Sequence, residues 1–270
     1  MHVLIGDIGN TTTKICLVEI KTFRIKKIIY FNSNNISSKK FLNIKLKKII
    51  KTKPISKVAL FSSVVPKYQF ILKKFLKMIY KIKLREIKEK NINKIVKINI
   101  KNKNQVGSDR IANAAGVYKK YKTNSIVLDF GTATTFDVVS KSGVYNGGVI
   151  APGVNLSIKT LSSSADQIPL FIVKKQKKVI GKNTIEALRS GFYWGYSGLI
   201  NNIILKIEKE TQKKYKIVFT GGYADLFKTS IIRPFTVDRN ITIKGIIEIF
   251  KENKKYLNKL LKKRNLFFVL

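Results

Sequence analysis

Cysteine, histidine and acidic residues are all scarce in this 270-residue chain, and each scarcity removes a class of function. Cys16 is the only cysteine, so disulfides within the chain and cysteine-based zinc sites are excluded. His2 is the only histidine and stands beside Met1 at the start of a strand, so a general base here must be a carboxylate. No run of eighteen apolar residues occurs, which leaves no spanning helix. The N-terminus enters a strand at once with Asp7 close behind, unlike a signal peptide, so a soluble, cytoplasmic chain without a membrane partner is expected. Its length fits one large domain or two similar ones.

Acid is outnumbered by 54 Lys and Arg to 15 Asp and Glu, a formal charge of +39. Such a balance invites a nucleic-acid reading. Arginine, however, is confined to Arg24, Arg85, Arg110, Arg189, Arg233, Arg239 and Arg264. Readers of bases and phosphates favour its bidentate fork over lysine. Lys, Ile and Asn are over-used together, and all three draw on AT-rich codons. The basicity is therefore read as genome composition spread over solvated faces, with salt-sensitive attraction to anionic polymers but no specific nucleic-acid partner.

What the chain does carry is one phrase written twice. Val3-Leu4-Ile5-Gly6-Asp7-Ile8-Gly9-Asn10-Thr11-Thr12-Thr13 returns as Ile126-Val127-Leu128-Asp129-Phe130-Gly131-Thr132-Ala133-Thr134-Thr135. Each is a β-branched run ending in Asp-x-Gly, followed by small hydroxyl or amide residues and more strand-like sequence. Glycine lets a phosphate approach the backbone, Thr and Asn offer short donors, and Asp suits a cation or its bound water. A single such turn is an ordinary hairpin more often than a site. The pair, with a third glycine turn at Thr220-Gly221-Gly222, reads as a polyphosphate cleft of a kinase or ATPase.

Periodicity predicts strands near 2–7, 13–20 and 24–31, a basic helix from Ser37-Ser38 to about residue 52, and a short strand Val58–Phe61 ended by Ser62-Ser63. Pro66 opens a helix with Phe70, Leu72, Phe75, Leu76 and Ile79 toward the core. A strand at Ile95–Ile98 lies within the Lys- and Asn-rich stretch 86–105, and a helix runs from Ser108 to about Tyr121. After the second hairpin come strands punctuated by Gly143 and Gly147-Gly148, a helix from Pro152-Gly153 to Ser164, and a long helix or helix pair from Thr184 to about Thr211. Strands at Tyr215–Phe219 and Pro234–Val237 and a basic helix over about 242–264 complete the chain. This is a duplicated α/β unit hinged near 119–124, giving lobes 1–118 and 119–270.

The hairpins and the Gly221-Gly222 turn resemble the two-lobed, ribonuclease-H-like ATPase fold of actin, Hsp70 and the sugar kinases. Four further motifs resemble the type III pantothenate kinases within it. They are Gly107-Ser108-Asp109-Arg110-Ile111-Ala112-Asn113, Asp129-Phe130-Gly131-Thr132-Ala133-Thr134-Thr135-Phe136-Asp137, Gly147-Gly148-Val149-Ile150-Ala151-Pro152-Gly153, and the stretch from Gly181-Lys182-Asn183-Thr184 to Gly191. In order and spacing they follow that family from Asp7 to the Gly245 region.

The resemblance implies ATP-dependent phosphorylation of the pantothenate 4′-hydroxyl, the first step toward coenzyme A. It makes Asp109 the base, although an Asp at a helix start is by itself a capping group. Gly107, Ser108, Asp109 and Arg110 would bind substrate, and Arg110 alternatively pairs with a carboxylate. Asp7, Ile8, Gly9, Asn10, Thr11, Thr12, Thr13 and Lys14 match the first phosphate loop, with Asp7 organising Mg²⁺ through water. Asp129 matches a monovalent-cation ligand for K⁺ or NH₄⁺ and Thr132 an ATP contact, while Gly221 and Gly222 would lie against adenosine. Thr184 matches a substrate contact across a homodimer interface, or is simply a helix N-cap. Departures are Ile100, where the family has Tyr lining the pantothenate site, Lys103 for Pro, Cys16 for Gly, and a loose Ser164–Pro169 match. Ile100 predicts weaker pantothenate binding with the reaction retained. Two alternatives stand beside this reading: another small-molecule kinase of the superfamily, and a non-catalytic regulatory or nucleic-acid-binding relative.

Overall fold

The computed structural model describes residues 1–50, 53–90 and 92–262. In chain order the elements are β1 (His2–Ile8), β2 (Thr12–Glu19), β3 (Ile25–Asn32), a 3₁₀ turn (Ser33–Ser37), α1 (Lys39–Ile50), β4 (Val58–Ser63), α2 (Pro66–Tyr80), β5 (Lys83–Glu86) and β6 (Lys97–Ile98). A second 3₁₀ turn (Lys103–Gln105) leads to α3 (Ser108–Tyr121), β7 (Ser125–Phe130), β8 (Ala133–Val139), β9 (Val144–Pro152), α4 (Val154–Ser164), α5 (Thr184–Thr211), β10 (Lys216–Gly221), β11 (Phe235–Val237) and α6 (Ile241–Lys262).

Two compact units result, one of Met1–Lys120 with the segment from Ile241, the other of Tyr121–Asn240. In the first, the sheet runs β3-β2-β1-β4-β5, with β1, β2 and β3 antiparallel and β4 and β5 parallel to β1. Alternation sends Leu4, Ile8, Ile15, Leu17, Ala59 and Phe61 to one face, where Leu42 and Leu46 of α1 and Leu72 and Leu76 of α2 cover them. Pro66 opens α2, where a missing amide costs nothing, and Lys81 closes it in the left-handed region (φ 57°) with its amide on the Leu76 carbonyl.

Within the second unit β9-β8-β7-β10-β11 repeats the order β3-β2-β1-β4-β5, again a hairpin extended on one side by an antiparallel strand and on the other by parallel ones. This internal repeat is the duplicated α/β fold that the two Asp-x-Gly phrases imply. Ile126, Leu128 and Phe130 pack on Tyr193, Ile200 and Ile204 of α5. Phe130 stacks on Phe227 (5.6 Å) and meets Phe219 edge-on (5.3 Å).

Several boundaries differ from expectation. The basic helix begins at Lys39, because Ser33–Ser37 is a tighter turn whose Asn32 side chain accepts the Asn34 amide; its expected end at 51–52 lies outside the described residues. The strand expected at 95–98 is only Lys97–Ile98, and β5 was not anticipated. Of the last helix, residues 263–264 lie outside the described residues. The division of the chain also differs: residues 119–270 do not group as one lobe, because α6 returns to the first unit. There it packs on β1 and β4 and crosses α3 at Gly245, where a Cβ would run into the Ala112 carbonyl oxygen. Gly116 answers from the other helix, where a Cβ would stand 2.5 Å from the Ile241 oxygen. The Thr242 hydroxyl donates to buried Asn113 (2.7 Å) across the same crossing.

Candidate active site

In the first unit the β1–β2 hairpin pairs Asp7 with Lys14 and Ile8 with Thr13. Its turn is closed by the Gly9 amide on the Thr12 carbonyl (3.1 Å) and backed by Ser33, whose hydroxyl donates to the Gly9 carbonyl (2.6 Å) and whose amide donates to that of Thr11 (2.8 Å). Asn10, Thr11 and Thr12 are exposed at the tip, and Gly9 and Lys14 are half-buried. The Ile8 and Thr13 side chains are buried, Thr13 bonding to Ser33 (2.8 Å), so these two offer only backbone to a ligand. Cys16 lies further down β2, its thiol pushed up to about 12 chiefly by burial, and takes no part in chemistry.

The end of β4 joins the site's two acids. In the parallel pairing Asp7 faces Ser62 and Ile8 faces Ser63. The Ser62 hydroxyl donates to Asp7 Oδ1 (2.9 Å). Ser63 is stitched to the first residue of α3: its amide donates to Ser108 Oγ (3.0 Å), and the Ser108 hydroxyl donates to its carbonyl (2.6 Å). Neighbouring residues thus hold Asp7 on one side and the start of α3 on the other. Asp109 follows in the first turn of that helix, its Oδ1 accepting the Arg110 amide (2.8 Å). Glycine is needed at 107, two residues before Asp109, because a Cβ there would stand 2.5 Å from Asp109 Oδ1. Arg110 and Ile100 are half-buried. The loop leading to Gly107 is held by Lys88, whose ammonium donates to the carbonyls of Asn104 and Val106 (2.9 Å each). Lys88 carries no sequence signal, being one lysine among dozens.

In the second unit Asp129, half-buried, is opposite Thr135 on β8 and Thr220 on β10. The turn beside it is closed by the Gly131 amide on the Ala133 carbonyl (3.0 Å). Gly221 has φ +86°, and a Cβ there would meet the backbone of Phe130, while the Gly222 amide donates to the Phe130 carbonyl (3.0 Å). Asp129, Gly131, Thr132, Gly221 and Gly222 therefore gather at one end of one sheet. Thr184 is exposed at the start of α5, on a groove of about 600 Å³ between α4 and α5. It is not the N-cap: Asn183 accepts the Glu186 amide (2.9 Å), and Glu186 reaches back to the Lys182 amide (2.8 Å). The Thr184 hydroxyl is released from capping.

The donor set suits cations that arrive with a nucleotide. Among the described residues no three His, Cys, Asp or Glu assemble into a metal cage. A magnesium ion held mainly by phosphates and water needs one or two carboxylates. No helix among the described residues is long and apolar enough to cross a membrane.

A family model for type III pantothenate kinases matches residues 3–206. The type III pantothenate kinase of Pelagibacter ubique is 52% identical over 248 residues, covering 91% of this chain and 97% of that protein. That of Paramagnetospirillum magneticum is 37% identical over 195 residues, covering 72% and 75%. Among solved structures, the activator of 2-hydroxyisocaproyl-CoA dehydratase from Clostridium difficile with bound ADPNP superposes with a TM-score of 0.58 at 12% identity, covering 96% of this chain and 98% of that one. That likeness speaks for the fold alone.

Proposed function

Since this chain belongs to the type III pantothenate kinase family and phosphorylates pantothenate with ATP, we propose that Asp109 is the base of that reaction and that the glycine turns of each unit take part in binding its substrates. The pantothenate hydroxyl oxygen attacks the γ-phosphorus as the bond to the ADP oxygen breaks, and its proton passes to Asp109. Little covalent help is required; alignment and charge compensation carry the rate. Gly107, Arg110 and Ile100 line the pantothenate side, with Ser108 offering only backbone because its side chain is buried against Ser63, and Thr184 is a further contact contributed across a dimer interface. Arg110 supplies a fixed positive charge for a carboxylate.

On the nucleotide side, the amides and short side chains of residues 8–13 cradle phosphate oxygens, with Lys14 beside them. Thr132 and the Gly221-Gly222 backbone serve the remainder of ATP. Use of ATP implies a divalent metal, which we assign to Mg²⁺ held through water by Asp7; bound there, it would neutralise charge on the transferring phosphoryl group. Asp129 with its neighbouring turn suits a monovalent cation, K⁺ or NH₄⁺. A homodimer through α5 is supported by the apolar groove beside Phe192 and Leu199 and by Gly191, Gly195 and Gly198, around which a Cβ would meet nothing within 4 Å. Dependence on ATP fits a cytoplasmic enzyme.

The observation that supports this reading most is the paired anchoring by Ser62 and Ser63. It ties the Asp7 carboxylate and the first residue of the helix that carries Asp109 to neighbouring residues at the end of one strand, which supports a phosphate role for the one acid and a base role for the other. The test is ADP release with ATP, Mg²⁺ and pantothenate, with and without K⁺, beside Asp109→Asn. Pantothenate-dependent turnover that needs K⁺ and falls about 10²–10⁴-fold in the folded variant is expected. An Asp109→Asn protein that keeps its turnover would remove Asp109 from the mechanism.

A further inference from the structure

Behind the anchor of α3 lies a carboxyl group that neither the motifs nor the reaction has used. Glu86 ends β5, opposite Phe61 of β4, and its side chain is 7% exposed. Oε2 accepts the Lys88 amide (2.6 Å), but Oε1 is buried with no donor aimed at it among the described residues. The polar side chain beside it from α3 is Ser108.

The hydrogen inventory of Ser108 decides what that neighbour can do. A hydroxyl has one proton and two lone pairs. Ser108 gives its proton to the Ser63 carbonyl and takes the Ser63 amide on one lone pair. Toward Glu86 it presents only the second lone pair. An ionised carboxylate there would face it acceptor to acceptor, at an oxygen closed to bulk solvent. A protonated Oε1 completes both groups at once. Glu86 satisfied as an acid leaves no buried polar group unmade, where an unmade one is costly.

We infer that Glu86 is a positioning residue for the kinase reaction, carried as the neutral acid and donating from Oε1 to the Ser108 hydroxyl, so that the start of α3 and the Asp109 carboxylate beside it are held in one place. The inference rests on Asp109 being the base. The electrostatics agree: burial pushes the Glu86 carboxyl up, and the Lys88 amide and the Lys88 charge oppose this without cancelling it; a Ser108 hydroxyl turned to Glu86 would oppose it too, but its proton is held by the Ser63 carbonyl. Glu89 adds to the upward push while its carboxylate is engaged by Arg85 (2.7 Å) and by the Glu86 amide (3.1 Å). Lys88 belongs to the same device. Its amide holds Oε2 and its ammonium holds the loop before Gly107, so both ends of the Gly107–Asp109 turn are tied to one short segment.

Two substitutions separate positioning from mere packing. Glu86→Gln keeps an acceptor for the Lys88 amide and a donor for Ser108; Glu86→Met keeps the bulk and loses both. With Glu86→Gln, kcat is expected to stay within about twofold of wild type. With Glu86→Met, kcat is expected to fall about tenfold or more at unchanged KM for ATP, as for a reacting group displaced by a fraction of an ångström. Infrared difference spectra of isotope-labelled glutamate at neutral pH should show a protonated-carboxyl band in the wild type that Glu86→Gln lacks. Glu86→Met turning over like wild type, Glu86→Gln losing as much as Glu86→Met, or the absence of that band would each overturn the inference. Asp109→Asn run alongside keeps the two readings apart. If it retains turnover, the base assignment fails and the positioning role fails with it; if it is inactive while Glu86→Met is fully active, only the role of Glu86 falls.

Discussion

Gly107→Ala places a methyl group where the structure has space only for a carboxylate. The added Cβ would lie 2.5 Å from Asp109 Oδ1 and 3.5 Å from Val64 Cγ1. The second distance is ordinary contact; the first is not. Gly107 is not among the residues of positive φ, so alanine can adopt its backbone conformation. The atom that must yield is the far end of a side chain, held by the Arg110 amide rather than by rigid backbone packing. Opening the contact to about 3.2 Å moves that oxygen by roughly 0.7 Å, since non-bonded heavy atoms settle somewhat beyond 3 Å. Folding hardly registers this, because replacing glycine by alanine also narrows the unfolded ensemble by about 0.4–1 kcal/mol. Catalysis does register it, since about 1 Å of misplacement costs on the order of 10²-fold in rate. The expected result is a protein whose urea unfolding free energy stays within about 1 kcal/mol of wild type. Its kcat, measured by ADP release at saturating ATP and pantothenate, should be lower by about 10–100-fold. Unchanged kcat in the folded variant would refute the argument. So would a loss of several kcal/mol of stability, which would mean that the backbone moved instead of the carboxylate.

Three other outcomes are expected. Gly245→Ala should destabilise by about 2–4 kcal/mol in urea despite a helix-propensity gain of about 1 kcal/mol, because the new methyl meets rigid backbone of α3; a more stable variant would show that the helices separate freely. Glu86 is pushed up in the folded protein, so from the ordinary glutamate range to its elevated value the native state holds more proton than the unfolded one. Its contribution to stability is therefore fully present at low pH and lost as pH rises through that window, and Glu86→Gln should flatten that part of the stability–pH curve. The Cys16 thiol, pushed up to about 12, should resist alkylation at pH 8 in the native protein and react at once in denaturant; rapid native labelling would contradict its burial.

The phosphate turns were readable from sequence because their chemistry is local. An Asp-x-Gly between β-branched runs fixes a hairpin by itself, and β1–β2 and β7–β8 lie where those phrases stand. The helix start at Ser108 was legible for the same reason. Strand β5 was not: Lys83-Leu84-Arg85-Glu86 is four residues with two basic side chains, and only pairing with β4 makes it a strand. The importance of Glu86 follows from that pairing and is invisible without it. Thr184 reads as an N-cap because threonine is good at capping, yet Asn183 one residue earlier is better and wins the position. The lobe boundary misled for a different reason. Nothing in Ile241-Thr242-Ile243-Lys244-Gly245 names its partner, and the fit of Gly245 against Gly116 is a relation between residues far apart in sequence.

The return of α6 has a consequence for how the chain comes into being. The second unit is continuous, Tyr121–Asn240, whereas the first is written in two instalments with the second unit between them. During synthesis from the N-terminus, the segment made first cannot finish folding, since the surface of β1, β4 and α3 that α6 covers stays open until α6 emerges. The middle of the chain is free to fold before its beginning does. A message interrupted after codon 240 would thus yield a completed second unit attached to an unfinished first one, and the apolar face left uncovered is what a protein quality-control system would detect.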